Sequence, residues 1–358
     1  MKHRLYLIIV IMPMLIAACS SEVTVMTWNV QNLFDAHDDG TEYSDYDPGR
    51  DEWTESGVRR KCSIVARVIR EACWGGPDIV ALQEVENDRV LRLLNSEYLR
   101  GLSYAYALVT RASGSAANTA LLSRYPVVNV KSHAVPADPD RPGRNILEAA
   151  VDCGGTLLYL FNNHWRSHSL GSRATEGERR EAARIVSDRV RAIMEEDPRA
   201  EIIVCGDLNE SHDEYSRRRG KYATALVPLD EADTADGSLV LARSYSWPDR
   251  EGIVFYEPWY EIPADKRGSY VYGGKWLSYD HILMGAGLFD GRGLVYEKGS
   301  FKVVRLPFAV GENTGFPLKW DLRKKDGVSD HLPLIVRLEN LNSKKNYEIH
   351  KKHEKEMN

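Results

Sequence analysis

The sequence predicts a mixed α/β domain in which two β-sheets pack against one another and helices cover their outer sides. Two patterns carry this expectation. Helical periodicity separates the early apolar strands, whereas the later strands follow one another almost directly, a mix that a purely parallel sheet does not produce. Five short polar clusters also begin where apolar strands run out, so polar side chains collect at strand ends.

The first residues stand apart from that domain. Lys2 and Arg4 precede an apolar stretch, residues 5–16, that is too short for a stable span. Leu15-Ile16-Ala17-Ala18-Cys19 follows and resembles a bacterial lipobox, which implies cleavage before Cys19 and lipid on its thiol. An ordinary secretory signal or an uncleaved anchor is the other reading. Residues 1–18 are thus expected to be a lipoprotein signal, 19–340 the domain, and 341–358 a Lys-rich polar tail with no apolar face. Lipid on Cys19 would hold a monomer on the bacterial cell envelope, at the outer membrane or the outer face of the cytoplasmic membrane.

Within the domain, residues 23–30 alternate and read as a strand. Residues 34–55 form an acidic loop with Asp35, Asp38, Asp39, Asp45, Asp47 and Asp51; it fits no EF-hand pattern, so a solvated loop is expected rather than a Ca²⁺ site. Apolar positions 58, 65, 68, 69 and 72 make a helical face, ended by Gly75, Gly76 and Pro77. A strand over 78–83 and a helix over 89–99 follow, then strands over 104–110, 119–123, 127–135, 146–152 and 157–162. Thr175 with Glu178 reads as a capping box for a helix that runs to about Glu196 and stops at Pro198. Residues 202–205 are the next strand, 211–275 an aromatic- and Pro-rich stretch of short elements, and 279–284, 302–306 and 331–338 the last strands.

Composition is that of an ordinary globular body, with 43% hydrophobic and 28% charged residues. The formal charge of −5 leaves no electrostatic footprint of a tight, nonspecific DNA binder. Cys62 and Cys73 lie on one helical pattern, roughly 16 Å apart and far beyond the roughly 7 Å reach of a disulfide. Cys205 ends an apolar strand as a small core residue, and a bridge from Cys62 or Cys73 to Cys153 stays open.

The polar clusters are TWNVQNLF (27–34), LQEVEN (82–87), NNHWRS (162–167), GDLNE (206–210) and SDH (329–331). They offer two histidines, two or three carboxylates and several carboxamides, enough for one metal-assisted hydrolytic site. No Cys/His set has zinc-like spacing, so an ion bound through oxygen fits better. Asp207 and Asn209 share one face if the chain there is extended, and Gly206 allows close backbone approach.

In content and order the clusters resemble the endonuclease/exonuclease/phosphatase superfamily, the DNase I-like phosphodiesterases and phosphomonoesterases. The resemblance covers residues 22–339 and implies a four-layer α/β/β/α sandwich of two packed mixed sheets. It implies metal ligation by Glu84, with Asn29 beside the ion and Asp330 facing it; Mg²⁺ is expected and Mn²⁺ is the alternative. Asn32 continues the first motif less specifically. It implies that Asp207 orients or deprotonates the attacking water, that Asn209 holds the phosphate, and that His164 binds phosphate or donates a proton. His331 is expected to be a base near neutral pH, oriented by Asp280 from the preceding strand, with His281 outside the chemistry. Arg144, Arg166 and Arg173 are candidate phosphate clamps, and Asn162 leads into the His164 loop as a further substrate-binding residue.

The motif details favour one substrate class. Inositol 5-phosphatases carry an aromatic-Arg pair after GDxN and a later Trp-Cys-Asp-Arg cluster; here Glu210-Ser211 and Tyr279-Asp280-His281 stand instead. Residues 254–260, an aromatic run, could serve as the membrane-contact hairpin of a sphingomyelinase or could be buried. The opening motif, the acidic loop and NNHWRS resemble exported bacterial nuclease-like members. Nucleic acid is therefore the expected substrate, a phospholipid or phosphoinositide the alternative, and a silent binding lipoprotein the third reading.

Overall fold

The computed structural model describes residues 21–50, 53–136, 141–219, 221–234, 238–245 and 253–344. The expected lipid cysteine Cys19, its signal and most of the polar tail lie outside these residues. No helix among the described residues is long and apolar enough to cross a membrane.

Two mixed sheets stack face to face. The first orders its strands Leu294–Tyr296, Leu334–Asn340, Glu22–Leu33, Ile79–Val85, Asn118–Ser123 and Tyr106–Val109, and Lys302–Val303 also pairs with Leu334–Asn340. The second orders Val127–Val135, Arg144–Asp152, Leu157–His164, Glu201–Asp207, Asp280–Met284, Val254–Tyr256, Leu239–Ala242 and Leu226–Pro228. Alternation along the strands builds three apolar layers. Val25, Ile79, Ala81 and Leu121 face Leu147, Leu160, Ile203 and Ile282 between the sheets. Met26, Trp28, Val80 and Leu82 point the other way and meet Val58, Val65 and Ile69 of the helix Glu55–Glu71. Phe161, Ile202 and Val204 meet Ala182, Val186 and Val190 of the helix Glu176–Glu196. The result is the four-layer α/β/β/α sandwich.

Each long helix is a crossover between parallel neighbours. Glu55–Glu71 joins Glu22–Leu33 to Ile79–Val85, and Glu176–Glu196 joins Leu157–His164 to Glu201–Asp207. Both parallel pairs therefore end at one rim. The register sets Asn29 opposite Gln83 in one sheet, and His164 and Asp280 on either side of Asp207 in the other.

Three expectations are corrected. The capping box does not form: the Thr175 hydroxyl donates to Gly171 O and accepts from buried Arg179, while Glu178 pairs with Arg141 and Arg166. The 34–54 loop is not merely solvated, because Phe34, Tyr46 and Trp53 are buried in it. The helix expected over 89–99 is α-helical only over Asp88–Leu93 and then widens to a π turn over Leu94–Tyr98. All four described cysteines are free.

Candidate active site

Every polar cluster reaches the shared rim, where a cavity of about 620 Å³ opens between the sheet ends. Asn29 ties the two sheets together there. Its Nδ2 donates to Glu84 Oε1 at 3.1 Å and to Asp207 Oδ2 at 3.0 Å, bridging residues 55 and 178 positions away. Asn32 donates its backbone N–H to the other Glu84 oxygen at 2.9 Å.

The backbone is bent to make this possible. Gln31, Asn32, Glu84 and Asn209 all have positive φ, four of only seven such non-glycine residues among those described. Each is a conformation L-residues avoid, and its concentration in three of the clusters marks strain held at a site. Asn209 is consequently not extended: its φ is 49°, its N–H returns to Asp207 Oδ1 at 3.0 Å, and its Nδ2 donates to Trp165 O. Gly206 is indispensable for a steric reason, since a Cβ there would lie 2.0 Å from Asn163 O.

The two histidines stand in opposite electrostatic settings. Arg144 reaches Nδ1 of His164 at 2.7 Å. A guanidinium can only donate, so Nδ1 accepts and the imidazole proton sits on Nε2, 3.7 Å from Glu84 Oε1 and 3.8 Å from Asp207 Oδ2. Burial, reinforced by Arg144, keeps His164 neutral, with its pKa well below the ordinary value. For His331 burial acts in the same direction, but the Asp280 and Asp207 carboxylates outweigh it and hold the pKa well above the ordinary value. Its Nδ1 lies 2.8 Å from Asp280 Oδ2, which also accepts from Ser269, and its Nε2 lies 3.8 Å from Asp207. This setting favours the charged form of His331, where the sequence suggested a base near neutral pH.

The carboxylates are crowded. Burial and the nearby Asp330 push Glu84 upward, and burial with Asp280 pushes Asp207 up to about 7. Such repulsion is what a cation relieves. Asp207, Asp280 and His331 lie close enough to ligate an ion together, although the Asp280–His331 hydrogen bond engages one atom of each of those two. Glu84 and Asp330, with the orphaned Oδ1 of Asn32 nearby, also fit a hard divalent cation, because they bring carboxylate oxygens to the cavity.

Three residues expected to bind substrate lie elsewhere. Asn162 is fully buried between the sheets, where it accepts from Gln83 at 2.7 Å and donates to Leu82 O and Ala120 O. Arg166 is held away from the cavity by Glu178 at 2.7 Å and by Pro142 O. Arg173 is exposed and does not line the cavity. His281 is buried between Glu257 and Glu210 O, bracing the GDLNE turn.

Other residues of the site were not anticipated. Tyr270 stacks on His331, with centroids 4.5 Å apart at 26°, and on Tyr279 at 5.6 Å. Gln31 Oε1 accepts from both Asp330 N–H and Trp320 N–H. Lys61, on the helix Glu55–Glu71, is fully buried; it donates to Val328 O at 2.6 Å and lies over Trp320, and burial lowers its pKa to about 7. Tyr270 and Lys61 stand in no motif that could have announced them, and Gln31 lies in TWNVQNLF at a position to which the motif assigned no role.

The sequence matches the model of the Endonuclease/Exonuclease/phosphatase family over residues 24–340. No curated protein matches it significantly. Among solved structures, TDP2 from C. elegans is similar at 19% identity and a TM-score of 0.54, over 88% of this chain and 75% of that one. D. rerio TDP2 with a single-strand DNA product is 18% identical, with a TM-score of 0.50 over 89% and 99% of the chains. A mannosyl-6-phosphatase from Bacteroides thetaiotaomicron is 16% identical, with a TM-score of 0.51 over 88% and 99%. At these identities the structures speak for the fold, and the family match speaks for the chemistry. This chain belongs to the endonuclease/exonuclease/phosphatase family, whose members are metal-dependent phosphoester hydrolases.

Proposed function

We propose that this hydrolase cleaves a phosphodiester at the end of a nucleic-acid strand, DNA or RNA, with Mg²⁺ as the ion and Mn²⁺ as its nearest substitute. One observation carries the reading: the Tyr270–Tyr279 stack begins against His331, so a base can lie on an aromatic face beside the scissile bond. A cavity of about 620 Å³ takes a strand end more readily than the middle of a duplex.

Glu84 and Asp330 would hold the ion, which would supply positive charge to offset that on the phosphoryl oxygens. His164 Nε2–H and the His331 imidazolium each donate a hydrogen bond to those oxygens, one neutral and one charged. Asp207, fixed by Asn29 and by the Asn209 N–H, orients the attacking water and takes its proton. Asp280 keeps His331 charged and aligned.

A small phosphate monoester is the second reading, favoured by the modest cavity volume and the net charge of −5. A phospholipid substrate finds less support, because Tyr256 and Trp259 of the aromatic run are buried and form no membrane-contact hairpin. The silent binding module would lack part of the chemical set, whereas both histidines, Glu84, Asp207 and Asp280 share one rim. Attachment of a monomer to the cell envelope through Cys19 is part of the proposal; labelled lipid should be lost in Cys19→Ser, and retained label would refute it.

The decisive experiment offers the purified chain, with Mg²⁺ and with EDTA, single-stranded DNA, RNA, sugar phosphates, sphingomyelin and phosphoinositides. Mg²⁺-dependent release of nucleotides supports the proposal. Release of inorganic phosphate from small esters alone selects the second reading, and lipid head-group release selects the phospholipid substrate.

A further inference from the structure

We propose a second cation site, for Ca²⁺, outside the catalytic cavity, where Asp39 and Glu42 of the acidic loop meet Glu86. One oxygen of each lies within 4.8 Å of the others, a spread that one Ca²⁺ can bridge.

The argument turns on Glu86. Its side chain comes from the end of the Ile79–Val85 strand and is only 4% exposed. Oε2 accepts the Asp35 N–H at 2.6 Å, but Oε1 is buried and has no hydrogen-bond donor. A buried carboxylate oxygen left so is destabilising. What faces it is the side chain of Glu42, and the two carboxyl groups can hydrogen-bond only while one of them keeps a proton. The loop itself holds Glu42 in that position: its two oxygens accept the Asp39 N–H at 2.7 Å and the Thr41 N–H at 2.8 Å.

The neighbouring cation does not answer the deficit. Arg89 is spent on Asp35 Oδ2 at 2.7 Å and Asp39 Oδ2 at 2.5 Å, which balances one charge among four carboxylates. Oxygen-only donors of this charge density suit Ca²⁺ better than the strictly octahedral Mg²⁺. The bound ion would brace the loop that carries Tyr43, whose ring packs on Phe34 at 5.6 Å and lines the catalytic cavity.

Calorimetric titration of CaCl₂ into Glu84→Gln, in which the catalytic ion site is weakened, isolates the second site. The variant should bind one Ca²⁺ and melt at higher temperature in its presence. Adding Glu42→Gln should weaken that binding by at least about tenfold, since affinity follows ligand charge. Asp39→Asn in the same background serves as the second variant, with circular dichroism to confirm folding of each. Absence of Ca²⁺ binding to Glu84→Gln, or equal binding after both loop substitutions, overturns the site and assigns the Glu42–Glu86 contact to a shared proton. Neither result depends on which ester the catalytic cavity cleaves.

Discussion

Arg144 donates to Nδ1 of His164 at 2.7 Å, and this one contact fixes both the tautomer and the charge of the imidazole. Across the cavity Asp280 does the converse for His331. One fold thus keeps a neutral and a cationic imidazole within reach of the same Asp207 oxygen.

Arg144→Met should move the acidic limb of the pH–rate profile. Removing the guanidinium lets the pKa of His164 rise, so the imidazole charges at a higher pH than in the parent. Activity should fall more at about pH 6 than at about pH 8. A uniform loss at both values in kcat/KM would show that Arg144 acts only by binding substrate.

Asp280→Asn should lower kcat by roughly 10²–10⁴-fold, the usual scale for an orienting carboxylate. Its stability signature has a definite sign. The folded-state pKa of His331 is raised, so its stabilising contribution is fully present below the unfolded value of about 6.5 and is lost as pH rises through the folded-state value. Melting curves of the metal-free protein should show the deficit of the variant largest in acid and shrinking in alkali.

Glu84→Gln should cost at least about 10²-fold in Mg²⁺-dependent turnover while leaving the fold intact. Burial already disfavours the charge on Glu84, so the variant in EDTA should melt no lower than the parent. Added Mg²⁺ should raise the melting temperature of the parent alone. Mg²⁺-linked stabilisation that survives in the variant would place the ion elsewhere.

Lys61→Met probes a buried amine that no motif announced. With a folded-state pKa of about 7 against an ordinary value near 10.5, the unfolded chain binds more protons between these values, and parent stability rises with pH across that interval. Denaturant unfolding of the metal-free parent should gain on the order of 1–2 kcal/mol between about pH 7 and pH 9 relative to the variant. Parallel pH dependence in the two chains would contradict a neutralised lysine.

The site was legible wherever chemistry and strand ending coincide. Glu84, Asp207, Asp280 and His331 each follow or begin an apolar run, and the register brings them to one rim. Asn162 misled because it shares a strand face with His164 but lies two residues deeper, where that face is already between the sheets. Arg166 misled because its partner Glu178 was assigned to a cap that does not form. Lys61, Gln31 and Tyr270 act across 267, 289 and 61 residues of chain respectively, and pairwise distance over such spans has no local pattern. The irregular stretch after Ser211 was expected only as short elements, yet it supplies Tyr270 and three edge strands of the second sheet.

Glu84 sits at a φ of 63°, a posture worth about 1–2 kcal/mol against any L-residue other than Asn, Asp or Gly. A library sorted for heat resistance alone should therefore enrich Glu84→Gly and Glu84→Asn, clones that outlast their parent and turn nothing over. Durability and chemistry pull against each other at this one peptide unit, so engineering of the chain has to select on product formation before it selects on heat.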